Sequence, residues 1–358
     1  MNIYKHTALS LVSLLILGFV ALPAMAQGGG DAGEGNTSGD QDRFGTNGAA
    51  ELLVPLTARY SSLGSSTTSS LPDMNGLEAL YANPAGLINN TGTTALFSRM
   101  SYPADIGVNY FGIGRAMGDN HLAFTISAWD FGDIPQQTED SPEISDVTFG
   151  VTYITAGLTY ARVLTDRIAA GTTAKIVNEM IADMSATTVV FDAGMTYVVG
   201  ETGLRLGVAL KNIGIDIQFD GTGLVRRAQL PNQLDHAAQN ALAIESEKNK
   251  LPTLLNFGAA YSMTMGAGSV LTVLGNFRSN SFDQDQYSGG VELGLRDVVY
   301  VRGGFDLTQN TDLTFWKGYS YGAGINLDLS GRRFTLDYAM VPTDPFDGVQ
   351  FITATVTL

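Results

Sequence analysis

Segment after segment of this chain alternates with period two, and in each of them one face is wholly apolar. In "TTVVFDAGMTYVVG" (187–200), Val189, Phe191, Ala193, Met195, Tyr197 and Val199 oppose Thr188, Asp192, Gly194 and Thr196. In "LRLGVALK" (204–211), Leu204, Leu206, Val208 and Leu210 oppose Arg205, Gly207, Ala209 and Lys211. "YSGGVELGLR" (287–296) and "YSYGAGINLDL" (319–329) repeat the pattern, with Glu292 and Asp328 among glycines on the mixed face. A soluble sandwich also alternates, so the period alone does not settle the class. The pairing of an all-apolar face with one that mixes glycine and ionisable groups does. It is the signature of lipid outside and a narrow polar lumen inside.

Counting these segments gives fourteen: 94–102, 106–117, 120–131, 148–164, 166–181, 186–200, 203–218, 252–265, 269–279, 285–296, 298–307, 318–329, 332–341 and 349–358. Their connections fall into two sets. Short turns occur at 117–120, 164–166, 200–203, 266–269, 295–298 and 329–332, and the longer loops include 132–147, 219–251, 280–284, 308–317 and 342–348. An even strand number with short turns on one side predicts an all-β, 14-stranded antiparallel transmembrane barrel, with both barrel termini on the periplasmic side of a bacterial outer membrane. Within loop 219–251, Asp235 is positioned to cap a short helix carrying Leu242 and Ile244.

The rest of the chain fits that class. Lys5 and His6, an apolar run from Ala8 to Val20 and the A-x-A sequence Ala24-Met25-Ala26 read as a signal peptide over 1–26. Residues 27–43 are Gly-rich and acidic without apolar anchors, a disordered leader. Residues 44–93 form an N-terminal segment that does not alternate, and 94–358 make the barrel. Only 15% of the chain is charged, 42 residues are Gly, Cys is absent, and no 18-residue apolar run follows the leader. The formal charge of −15 disfavours nucleic acid as a partner.

Just before the first alternating segment stands "EALYANPAGL" (78–87). Proline fixes φ and holds its predecessor out of the helical region, so Asn83-Pro84-Ala85-Gly86 is a turn. That motif, with "FGTNGAAELLVPLTARYSSLG" (44–64), resembles the start of the PorV/PorQ family, barrels related to the FadL fatty-acid transporters. "WDFGDIP" (129–135), "DAGMTY" (192–197) and "LKNIG" (210–214) are further family-like phrases, while Thr57 and Ser61 to Ser66 depart from the family's usual Gly, Ala and Met. The resemblance implies a 14-stranded barrel whose N-terminal segment packs in or under the lumen. Asn83, Pro84, Ala85 and Gly86 are then a rigid turn leading that segment into the first strand, or a gate. It further implies a role in type IX protein secretion or cell-surface attachment, with secretion proteins or C-terminal signal domains of cargo as partners; loops 132–147 and 219–251, by their length, are the expected points of contact. The wider FadL relationship implies the alternative, transport of small hydrophobic molecules.

Catalytic chemistry finds little support. Only His121 and His236 remain after the signal, on opposite sides of the expected membrane, and HExxH, GxSxG and phosphate-loop motifs are missing. We expect no enzyme activity, cofactor or metal. The ionisable residues on the mixed faces are Lys175, Glu179, Asp192, Arg205, Lys211, Glu292, Arg296, Arg302, Asp306, Arg333 and Asp337. On the lipid face each would cost about 2–4 kcal/mol at mid-membrane, so all are expected to face the lumen as cross-strand pairs. Tyr102, Tyr110, Phe131, Tyr160, Tyr197, Tyr261, Tyr287, Tyr319 and Tyr338 lie near segment ends and are expected to form interfacial girdles against outer-membrane lipid.

Overall fold

A computed structural model describes residues 46–137, 147–228, 240–308, 316–344 and 346–358. The expected signal peptide and leader, with everything else before Thr46, and Asp235 and His236 lie outside the described residues. The strands of the first half are β1 (Thr93–Ser101), β2 (Gly107–Met117), β3 (Asn120–Pro135), β4 (Thr148–Thr165), β5 (Ile168–Ile181), β6 (Met184–Val198) and β7 (Leu204–Gly214). Three short strands follow in the long loop, β8 (Phe219–Gly221), β9 (Val225–Ala228) and β10 (Asn240–Ala243). The second half contains β11 (Leu254–Thr264), β12 (Ser269–Asn280), β13 (Gln286–Leu295), β14 (Val299–Thr308), β15 (Tyr319–Leu329), β16 (Arg332–Val341) and β17 (Val349–Thr357).

β1 to β7 and β11 to β17 make one antiparallel sheet closed on itself. β7 pairs with β11 across the long loop, and β1 pairs with β17 from Thr94↔Thr357 to Ser101↔Gln350. Closure leaves every barrel strand two neighbours and no free edge, the condition for a sheet surrounded by lipid. Two-residue turns at Arg296-Asp297 and Ser330-Gly331 have positive φ at both positions, the geometry that matches strand twist in tight hairpins. In the long loop, β9 and β10 pair as a separate hairpin. Residues 240–243 are thus extended, which corrects the helix expected there: their backbone groups are satisfied across the hairpin and no capped turn is needed.

The alternation sorts as the sequence requires. Val189, Phe191, Met195 and Tyr197 on β6 are exposed on the outside, while Thr188, Asp192 and Thr196 are buried. Along the whole ring the exterior is an apolar surface that includes Phe97, Leu158, Ile176, Val301, Ile325, Leu336 and Ile352.

The interior is filled by residues 46–92. This segment is a chain of short turns: 3-10 turns at Ala50–Leu53, Thr67–Ser69 and Pro84–Asn89, and helices at Ala58–Ser62 and Gly76–Ala79. No piece is long enough to be stable alone, and the segment is held by what surrounds it. It begins at the long-loop end, where Gly48 N–H donates to Lys250 C=O at 3.0 Å and Ala49 and Leu52 pack on Val177, Val190, Ile217 and Leu251. Tyr60, Leu63, Leu71 and Met74 pack in the middle with Ala260 and Leu274 of the wall. Leu77, Leu80 and Leu87 reach Leu96, Tyr110, Ala123 and Ala161 before β1 begins. The segment therefore runs the length of the lumen, from the long-loop rim to the short-turn rim.

Candidate functional site

Asn83 is fully buried, and its side chain bonds in two directions. Oδ1 accepts from Ala85 N–H at 3.0 Å and caps the Pro84–Asn89 turn, with proline in the first position where no N–H is missed. Nδ2 donates to Thr68 C=O at 2.9 Å within the segment and to Met195 C=O on β6 at 3.0 Å, with Val208 C=O on β7 at 3.3 Å. The motif is therefore both a turn and a tie between luminal segment and wall. The wall makes room for it with glycine. A Cβ on Gly194 would sit 2.0 Å from Asn83 Oδ1, and one on Gly171 would sit 2.5 Å from the Pro84 carbonyl carbon.

The wall charges meet one another and the segment. Glu292 on β13 takes both ends of the Arg59 guanidinium, at 2.7 and 3.0 Å, and also receives Arg302 from β14. Arg302 continues to Asp337 on β16, and the Tyr300 ring lies 5.5 Å from the Arg59 guanidinium carbon and 5.3 Å from that of Arg302. Arg59 also holds the half-exposed Asp73, its neighbour in the segment, at 3.3 Å. Glu78 is buried beside this cluster, and burial, then the charge of Asp337, raises its carboxyl to about 8. Both effects favour the neutral form of Glu78, which leaves two buried cations, Arg59 and Arg302, opposite two buried carboxylates, Glu292 and Asp337.

A second cluster lies across the lumen. Lys175 pairs with Asp192 at 2.8 Å and donates to Asn212 Oδ1 at 2.9 Å, while Asp192 accepts from Asn212 N–H at a bulge between β6 and β7. Lys211 is buried, with its ammonium 3.8 Å from the centre of the Tyr81 ring. Arg205 donates to Ser70 C=O at 3.4 Å, and Arg278, which the sequence reading did not single out, donates to Tyr60 Oη at 2.7 Å. Asp306 is half-buried on the inner face near Arg278. Glu179 is buried against the start of the segment.

Two charges expected in the lumen are elsewhere. Arg296 is exposed in the β13–β14 turn with φ +55°. Arg333 points to the inner side but at the open short-turn rim, 42% exposed and paired with Asp297 and Asp328. Alternation fixes which side a residue faces and says nothing of its height in the barrel. Three of the expected girdle aromatics are also internal. Tyr102 and Phe131 join Trp129 and Tyr153 in edge and stacked contacts of 5.0 to 6.2 Å at the long-loop end, and Tyr110 is buried against Leu77 and Leu80. Tyr160, Tyr197, Tyr287, Tyr319 and Tyr338 are exposed on the outer face.

Between segment and wall lies a cavity bounded by Glu51, Leu52, Leu56, Leu80 and Tyr81 on one side. Tyr110, Ser127, Thr155, Thr173, Lys175, Asp192 and Lys211 bound the other. Its volume is about 70 Å³, against about 150 Å³ for a dry engineered cavity that admits benzene. A ring-sized molecule fits only if the segment moves. Glu51, Glu78, Arg59 and Arg278 are the functional candidates that sequence reading missed, because the first three lie where no periodicity assigns a face and the fourth was not picked out on its strand.

No protein-family model matches the chain, and no curated protein matches it. Solved structures do share its fold. The toluene transporter TodX of Pseudomonas putida is similar in two crystal structures, with TM-scores of 0.51 and 0.52 and identities of 10% and 11%. These cover 85% and 83% of this chain and 96% of TodX in each case. A TodX variant described as a monoaromatic hydrocarbon channel, deltaS2S3, gives 0.51 at 12% identity over 84% of this chain and 97% of its own. At such identities the likeness is one of fold. What is shared is the architecture, a closed 14-stranded antiparallel barrel like that of the protein named a toluene transporter.

Proposed function

We propose that this chain is an outer-membrane channel for small hydrophobic molecules, with the N-terminal segment in its lumen as the gate. The observation that carries this reading is the segment itself, which is tied through Asn83 to β6 and β7 and flanks a cavity too small for an aromatic ring. The segment fills the ring as a chain of short turns rather than as part of the sheet, so it can serve a channel as a movable closure. The fold shared with a protein named a toluene transporter supports the substrate class. The short-turn side, with the start of β1 and the end of β17, faces the periplasm in this reading, and the long loops face outward. The test is uptake of radiolabelled toluene by intact cells that lack their own hydrocarbon channel, whose lipopolysaccharide leaflet resists apolar solutes. Expression of this chain should speed uptake over an empty-vector control, and equal rates would refute the reading.

The PorV/PorQ-like wording of residues 44–64 and 78–87 supports a second reading, a secretion-associated barrel that binds partner proteins through its loops. Mass spectrometry of proteins that co-purify with the tagged barrel from gently solubilised membranes separates the two. Recovery of a translocon barrel, or of cargo with C-terminal signal domains, would favour secretion; a solitary barrel with bound apolar ligand would favour the channel.

A further inference from the structure

Glu51 sits in the turn Ala50–Leu53 at the long-loop end of the luminal segment, where it is buried and lines the cavity. Neither of its carboxyl oxygens has a hydrogen-bond donor among the described residues. What faces it from the wall is a second buried carboxyl, Glu179 on β5. Two ionised carboxylates offer each other only acceptors, so this contact becomes attractive when they share one proton. Glu179 also faces the backbone N–H of Ala49, whose φ of +53° turns the chain into the 3-10 turn. The other groups around the pair do not replace that proton. Lys175 on β5 is engaged by Asp192 and Asn212, Tyr153 on β4 is a neutral phenol, and Asp192 and Lys211 border the same cavity from β6 and β7. From the long loop, Lys250 meets the segment through its carbonyl, and its side chain is exposed.

We propose that Glu51 and Glu179 form a proton-operated latch that holds the long-loop end of the luminal segment closed over the cavity. This deepens, and rests on, the reading of the segment as a gate. With one shared proton the turn at 50–53 is bonded to β5. Loss of that proton places two negative charges in a buried site and drives the turn off the wall, opening the cavity from the side that Glu51 covers. Burial, then the charge of Glu179, raises Glu51 from an ordinary 4.5 to about 8 in the closed form. In the open form, in water, Glu51 returns to the ordinary range. A carboxyl raised in the closed form favours closure fully below the ordinary value, and the advantage falls as pH rises, by at most about tenfold per unit, levelling off above the raised value. The gate is tightest in acid and loosens through neutrality.

The chain has no cysteine, so one introduced thiol reports alone. Thr155 lines the cavity, and its hydroxyl is buried without a partner. The experiment is methanethiosulfonate labelling of Thr155→Cys in the folded full-length barrel from pH 5 to 9, beside the same variant carrying Glu51→Gln. A Gln at 51 still donates to Glu179, at every pH, and the quotient of the two rates cancels the thiol's own ionisation. The quotient should climb with pH and flatten above about pH 8, and it should climb equally when Glu179→Gln replaces Glu51→Gln as the reference variant. A quotient constant across the range, measured with whichever of the two variants folds, would overturn the latch. Labelling requires no solute transport. Failure of toluene uptake with a pH-dependent quotient would refute the channel and keep the latch, and the converse would refute the latch alone.

Discussion

Asn83 carries two loads that single substitutions can separate. Alanine removes both the cap on Ala85 and the donor to the Thr68, Met195 and Val208 carbonyls. A lost cap costs about 1 kcal/mol and a stranded buried acceptor about 1–3 kcal/mol. Asn83→Asp keeps the capping oxygen but turns a second oxygen toward the same carbonyls. Limited proteolysis of residues 46–92 in the folded barrel should be faster for both variants, and fastest for Asp. Arg59→Ala should be worse than surface changes for another reason: Glu292 would keep Arg302 but lose its bidentate partner in a dry site, where breaking a buried pair costs about 3–5 kcal/mol. Urea titration of the refolded barrel measures that loss. The turn at Asn83 is legible in the sequence because proline announces it. Its carbonyl partners are not, since they lie 112 and 125 residues away on strands whose approach only the closed ring defines. Arg59 was invisible for the same reason.

Among the elements, the strands were readable and the luminal segment was not. Period-two faces such as Val189 to Tyr197 declare side and count, because each residue must be stable against lipid or against the interior. They do not declare height, which is why Arg296 and Arg333 proved to belong to the rim. Turns without a period, such as Ala50–Leu53, take their shape from the wall they rest on. The wall and the segment should therefore respond together. Gly194→Ala places a methyl against Asn83 Oδ1 and should loosen the segment, seen as faster proteolysis or raised ion current in a planar bilayer. In an Asn83→Ala background the two closest clashes vanish, leaving Val208 C=O at 3.2 Å. The same glycine change should then cost much less, and a double-mutant cycle should show coupling of about 0.5–3 kcal/mol. Additive effects would mean the methyl is accommodated elsewhere.

For the whole molecule, the outer surface and the filled lumen make opposite demands. Leu158, 59% exposed near the middle of β4, should reject charge: Leu158→Lys is expected to cost about 2–4 kcal/mol in refolding into vesicles. Its inward neighbour Thr159 is hydrogen-bonded to Thr173 instead. Deletion of residues 46–92 should leave a ring that still closes, since β1 starts at Thr93, and should raise single-channel conductance well above that of the intact chain. The ring is sealed where the first and last strands meet, with Ser98 and Thr353 sharing a hydroxyl bond at 2.7 Å. Thr353 also accepts the Ala58 N–H of the luminal segment, at 2.9 Å. That junction sets an order of assembly. A folded segment with a buried arginine and several bulky side chains cannot be threaded through a finished cylinder, so the cylinder must be wrapped around it. The seam between β1 and β17 zips last, with its cargo already inside. A mutation that delays docking of residues 46–92 will then show itself first as a slow final step in barrel closure, before it shows itself in any property of the completed pore.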